Sequence, residues 1–412
     1  QESAPVTDFG VVHPELVAVV SQCERMRQIV RKRRKSPEMV SPLLIAQPVQ
    51  PHRRRPAIIA KAQSRFREFG AADRIAQPFR ERQDRRIGLI RCSLRFGAHR
   101  AIVAAGARAG KAGRPVVFSQ GARSAQMDST FQDQYWTSPD GLKLHFRDYP
   151  GSTERAPVLC LHGLTRNARD FEKLAAHIAP GRRVLALDMR GRGDSEYAKD
   201  SATYNPATYV GDVLALLEQQ GIDRFVSIGT SLGGLMTMLL AALHPGRIVG
   251  AVLNDIGPVV DPSGIDRIRE YVGQARSFPT WMHAARALQE VHGGSHPGFA
   301  IEDWLVMAKR CMVLQQNGRI GFDYDMAIAE PFRDADGAVP PDLWPAFDAL
   351  KGAPLLIVRG GASDLFKAET MAEMISRHGD ADSVTIPDVG HAPSLDEPEA
   401  VAAIDRLLAR VP

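Results

Sequence analysis

From residue 157 to residue 410 the chain alternates short apolar runs with amphipathic stretches, and few folds accept that pattern. The runs are PVLCL (157–161), RRVLALD (182–188), RFVSIG (224–229), RIVGAVLND (247–255), PLLIVRG (354–360) and SVTIP (383–387). Between them lie stretches with apolar residues every three or four positions. In 167–179, Phe171, Leu174, Ala175 and Ile178 share a face; in 206–220, Val210, Val213, Leu214 and Leu217 do. Further helical stretches cover 231–244, about 367–378 and about 396–410. A continuously apolar strand needs cover on both faces, and a helix between each pair of strands provides it. The expectation is an α/β fold with a mostly parallel, doubly wound sheet and right-handed crossovers. Two strand-like runs around the turn Pro139-Asp140-Gly141 precede the series.

The alternation stops between Ile256 and Pro345. SGIDRIREYVGQA (263–275), TWMHAARALQEVH (280–292) and AIEDWLVMAKRCMVLQQ (300–316) have helical texture. An insertion of about ninety residues is too long for a loop and reads as a cap. The expected division is a core of 127–256 and 346–412, a helical cap of 257–345 inserted between the strand ending near Asp255 and the one beginning near Pro354, and a preceding region of 1–126.

That preceding region differs in charge. Residues 1–126 carry 25 Lys+Arg against 9 Asp+Glu, a formal +16; residues 127–412 carry 27 against 38, a formal −11, which together give the chain's +5. RKRRK (31–35) and RRR (53–55) are broken by prolines, and few windows hold a helix or strand period. The region reads as a disordered or non-native extension, translation starting at Met127. Clustered arginine is also the footprint of phosphate binding, but no nucleic-acid motif accompanies it. No signal peptide is legible at the N-terminus. Cys23, Cys92, Cys160 and Cys311 show no CxxC spacing, which argues against disulfides and zinc and for a reducing, cytoplasmic compartment. Phe225–Leu243 has about the length of a membrane helix and no charge. Its β-branched start and its glycines read instead as a buried strand, turn and helix, so no membrane partner is expected.

The turn in question is Gly229-Thr230-Ser231-Leu232-Gly233, a G-x-S-x-G pattern between a strand and a helix. No lysine follows for a phosphate loop, and the dinucleotide pattern is absent. A serine presented on so tight a turn is a candidate nucleophile, and flanking glycines remove side chains that would obstruct it. Such a serine needs a base. His391, in PDVGHAP, follows the last strand and reaches the carboxyl edge of the sheet, where ligands bind in open α/β folds. His162 also follows a strand and is a pocket candidate or a loop anchor. For the acid that orients His391, Asp364 after PLLIVRG is the expected residue and Asp255 at the end of VLND the alternative. The backbone N–H groups of Leu232 and Leu164 are the expected oxyanion donors. Trp281, Met282, Trp304, Met307, Met312 and Phe322 are candidates for an acyl pocket, or simply for cap core. Arg192-Gly193-Asp194 is an RGD tripeptide that reads as an ordinary loop, tied by Asp194 and Ser195.

Taken together, the elbow GTSLGG, the loops HGLT and RGRGDS, the post-strand SD and the terminal GH resemble the α/β-hydrolase superfamily in its capped esterase and lactonase-like branch, over about residues 135–411. HGL in place of HGGG sets the chain apart from the hormone-sensitive-lipase-like branch. Ser231 in place of Asp sets it apart from haloalkane dehalogenases and epoxide hydrolases. The resemblance implies a serine hydrolase of small to medium apolar carboxylic esters, with no metal or organic cofactor. The same residues serve lactone opening or C–C bond cleavage, and a non-catalytic small-ligand receptor on this fold is the remaining alternative.

Overall fold

The computed structural model describes residues 130–334 and 342–412. The readings made for 1–126, including any nucleic-acid contact, lie outside the described residues. Eight strands form the main sheet: β1 (Gln132–Thr137), β2 (Lys143–Tyr149), β3 (Val158–Leu161), β4 (Val184–Leu187), β5 (Phe225–Thr230), β6 (Ile248–Asn254), β10 (Leu355–Gly360) and β11 (Ala381–Ile386). Their spatial order is β1-β2-β4-β3-β5-β6-β10-β11. The hairpin β1–β2 joins antiparallel to β4, and the other strands run parallel.

The sequence alternation becomes a two-sided core. In β3, Leu159 and Leu161 face one layer and Val158 and Cys160 the other; in β4, Leu185 and Leu187 oppose Val184 and Ala186. Helices α1 (Glu172–Ile178) and α10 (Pro398–Arg410) cover one face. Helices α2 (Pro206–Gln220), α3 (Leu232–Leu243), α8 (Trp344–Asp348) and α9 (Ala368–His378) cover the other. Helix α2 shows why its ends were legible: Asn205 accepts the Thr208 N–H at 3.0 Å, Pro206 stands in the first turn, and Gly221 closes the helix at φ 65°. Buried Arg182 closes α10 from outside the helix, donating to the Leu408 carbonyl at 2.8 Å and to those of Val411 and Pro412. Among the described residues no helix is long and apolar enough to cross a membrane.

Between β6 and β10 lies the insertion: α4 (Pro262–Tyr271), α5 (Trp281–His292), α6 (Ile301–Cys311) and α7 (Ala329–Asp334). It is not wholly helical. β7 (Ser277–Phe278), β8 (Met312–Leu314) and β9 (Ile320–Phe322) form a small antiparallel sheet in the order β7-β9-β8. Met312–Leu314 had read as the tail of a helix. Strands of two or three residues are too short to show a period of two. Core and cap belong to one compact unit of the chain.

Candidate active site

Ser231 ends the turn between β5 and α3 with φ 52° and ψ −115°, a backbone region costly for a residue with a Cβ. The flanking glycines are required by close approach. A Cβ on Gly229 would collide with the Gly233 backbone, and one on Gly233 with the Leu161 carbonyl of β3. Ser231 N–H donates to the Asn254 carbonyl at 2.9 Å, which ties the turn to the end of β6. The hydroxyl projects from the N-terminus of α3, where the helix dipole favours negative charge.

His391 Nε2 lies 2.9 Å from Ser231 Oγ. His391 Nδ1 lies 2.7 Å from Asp255 Oδ2. Asp255, fully buried at φ 56°, also accepts the Gly360 N–H at 2.7 Å and the Ser363 hydroxyl at 2.6 Å. Four donors thus converge on one elbow-to-loop assembly drawn from β5, β6, β10 and the loop after β11.

The expected acid, Asp364, is not part of that chain of bonds. Its carboxylate turns to the cap, where Arg267 of α4 holds it through Nη2 at 2.8 Å and through Nε. That hydrogen-bonded guanidinium keeps the Asp364 carboxyl below its ordinary range. The physical reason is strand order. Asp255 ends β6, next to β5 and its serine, whereas Asp364 follows β10, one strand further away. The preceding residue, Ser363, supplies a hydroxyl to Asp255 instead.

Asn254 and Ser363 are site residues that sequence reasoning missed. Asn254 is fully buried and its amide donates to Thr230 Oγ1 at 3.0 Å and to the Pro393 carbonyl at 2.8 Å, linking the elbow to the His391 loop. A lone Asn at a strand end carries no signal for that role.

The loop after β3 runs over the serine. A Cβ on Gly163 would lie 3.7 Å from Ser231 Cβ. Among the described residues, neither the Leu164 nor the Leu232 N–H is spent on a hydrogen bond. Fully buried Arg192 pins this loop by donating to the Leu164 carbonyl at 2.9 Å, and it also donates to Arg190 O and Tyr209 Oη. The RGD arginine is therefore inaccessible. Ser195 does tie its loop, donating to Asp188 O at 2.6 Å; Asp194 contributes its N–H, not its carboxylate.

His162 is an anchor and not a pocket residue. Fully buried, it accepts the Met189 N–H at Nε2, so Nδ1 carries the proton donated to Gly163 O at 2.7 Å. Burial, with the Arg192 charge, lowers its pKa to about 4 and keeps the ring neutral.

Above Ser231 opens a cavity of about 790 Å³ between core and cap. Met307, Met312 and Phe322 line it, with Leu164, Phe171 and Leu288. Trp304 does not: it is buried in the cap's own core against Phe299 (5.2 Å) and His296 (5.8 Å). Trp281 packs against that same core, and Met282 faces outward. Tryptophan is bulky and apolar enough to anchor a small insertion, and here that requirement won. The cavity wall is not purely apolar, since Arg166, Arg267 and His292 also reach it.

Among the described residues His145, Asp188 and Asp194 bring ligand atoms within 4.8 Å of one another. Both His145 nitrogens are already engaged, by Asp188 at 2.7 Å and Asp133 at 3.0 Å, and Asp188 also accepts the Ala168 and Asp194 N–H groups. The cluster holds the 188–195 loop.

A parallel sheet with crossover helices, a serine on the sharp turn after β5 and a histidine on the loop after the last strand define the α/β hydrolase fold. The chain belongs to that family, whose model matches residues 156–398. Among its relatives is the 3-hydroxybutyrate-oligomer hydrolase of Cupriavidus necator, 35% identical over 273 residues, which cover 64% of this chain and 92% of that protein. Esterase Rv0045c of Mycobacterium tuberculosis is 28% identical over 263 residues, 62% of this chain and 83% of that one. The crystal structure of an α/β hydrolase from Novosphingobium aromaticivorans is 62% identical, covers 69% of this chain and 99% of its own, and superposes with a TM-score of 0.67. The chain is a hydrolase by this kinship.

Proposed function

We propose that the protein hydrolyses carboxylic esters through Ser231, His391 and Asp255. The observation that carries this reading is the continuous hydrogen-bonded line from Ser231 Oγ through both nitrogens of His391 to Asp255. Ser231 Oγ attacks the ester carbonyl while His391 Nε2 takes its proton. The Leu164 and Leu232 N–H groups receive the oxyanion, and the tetrahedral intermediate collapses to an acyl-enzyme. His391 gives the proton to the departing alcohol. Water, deprotonated by the same His391, then releases the acid. Asp255 fixes the Nδ1–H tautomer and stabilises the imidazolium, while the Gly360 and Ser363 donors hold its carboxylate in place.

The enclosed, partly apolar cavity suits short-chain esters. The Cupriavidus relative points to short oligoesters of hydroxy acids as the leading natural substrates. The buried free thiols of Cys160 and Cys311 fit a reducing compartment. Turnover of p-nitrophenyl esters of graded acyl length, beside a lactone series and 3-hydroxybutyrate dimer, tests the reading. Wild type turns over esters and Ser231→Ala does not. Binding without turnover of any ester or lactone would favour a receptor instead.

A further inference from the structure

One corner of the cavity carries two guanidinium groups presented in the same way. Arg166 is held by Asp170 through Nε at 2.7 Å and Nη2 at 2.6 Å. Arg267 is held by Asp364 through the same two nitrogens. In each case the carboxylate takes the side edge of the guanidinium and leaves Nη1 without a partner. Asp364 stands behind Arg267, outside the cavity wall, so the lumen meets two arginines against the single carboxylate of Asp170. Tyr271 and His292 complete the corner, their rings edge-on with centroids 5.2 Å apart. Burial, then the charges of Arg267 and Arg166, lower the His292 pKa to about 4. At neutral pH it adds a hydrogen-bonding ring and no charge.

We propose that Arg166 and Arg267 form a subsite for the free carboxylate of the substrate, which makes the preferred ester one that ends in a carboxylic acid. This rests on the ester-hydrolase reading above. A fork of N–H donors already oriented by a carboxylate loses little freedom on taking a second one, and charge-assisted pairs of this kind are the strong class. Arg166 sits on the same loop as Leu164, its N–H bonded to Gly163 O at 3.1 Å. A carboxylate bound there lies only a few bonds from a carbonyl at Ser231. In an oligomer of a 3-hydroxy acid, the last residue puts its carboxylate at just such a separation from the last ester. The protein would then remove terminal units from the acid end.

The test compares 3-hydroxybutyrate dimer as free acid and as methyl ester, in wild type, Arg166→Gln, Arg267→Gln and Arg267→Lys. A net charge-assisted contact is worth a factor on the order of ten in kcat/KM. Wild type is expected to favour the free acid by about that factor or more. The ratio falls toward one in both Gln variants and recovers in part in Arg267→Lys. Because the ratio is taken within one protein sample, a variant that folds poorly still reports it. A ratio near one in wild type, or one unchanged in both Gln variants, overturns the subsite while leaving ester hydrolysis intact. If wild type turns over no ester at all, the hydrolase reading fails by itself. Calorimetry with 3-hydroxybutyrate then decides the subsite: binding lost in Arg267→Gln supports it, and no binding to wild type overturns it.

Discussion

Asp255 and His391 stand 136 positions apart in the chain, yet Asp255 Oδ2 meets His391 Nδ1 at 2.7 Å inside the protein. The contact sets apart the two carboxylates that compete for the orienting role. Replacing such an acid by its amide lowers kcat by about 10⁴, because the wrong imidazole tautomer results. We expect Asp255→Asn to approach that loss in p-nitrophenyl ester turnover, and Asp364→Asn to lose less than about tenfold. Equal losses would remove the distinction.

The loop above the serine depends on Arg192. Its guanidinium satisfies the carbonyls of Leu164 and Arg190 and the Tyr209 hydroxyl, all buried. Arg192→Met strands those acceptors, each at about 1–3 kcal/mol. Melting temperature should fall and kcat should drop by about tenfold or more, with KM less affected, since one oxyanion donor alone is worth about 10²–10³ in rate. Steady-state kinetics beside thermal melts would separate the two effects.

His145 predicts a pH dependence of stability. Burial alone would lower its pKa, but the hydrogen bonds and charges of Asp188 and Asp133 outweigh burial and raise it above 6.5. A raised folded pKa means the stabilisation is full below the unfolded value of 6.5 and is lost as pH rises through the folded value. The Asp188 carboxyl is held below its ordinary 3.8, so its share is lost as pH falls under that value. Urea unfolding of wild type against His145→Gln should therefore show the largest difference between about pH 4 and 6.5, shrinking on the alkaline side. A difference that grew toward pH 9 would contradict a charged His145.

Met307 lines the cavity and Trp304 does not. Met307→Trp should cut kcat/KM for an octanoyl ester by about tenfold more than for an acetyl ester, because overfilling a pocket excludes the larger ligand first. Trp281→Phe, in the cap's own core, should leave that ratio unchanged. Chain-length profiles of the two variants check both statements.

These comparisons mark where the sequence was legible. Strands such as VLCL and helices such as 206–220 write their surroundings into their own residues, through unbroken apolar runs or through Asn205, Pro206 and Gly221 at the ends. Ser231 and His391 were readable because the tight turn demands glycines and the last loop reaches the sheet edge. The choice between Asp255 and Asp364 depends on which strand lies beside β5, and neighbouring strands leave no local trace. The tryptophans misled for a similar reason: a large aromatic satisfies a cap core as well as a pocket. Arg166 and Arg267 resemble surface charges in sequence, and only the fold turns them inward.

The most direct test of the account is covalent labelling with a fluorophosphonate, read by intact mass and peptide mapping. The account predicts one adduct per chain, on Ser231, absent in Ser231→Ala, strongly slowed in Asp255→Asn and close to wild-type rate in Asp364→Asn. Ester turnover retained by Ser231→Ala, or an adduct on another residue, would contradict it.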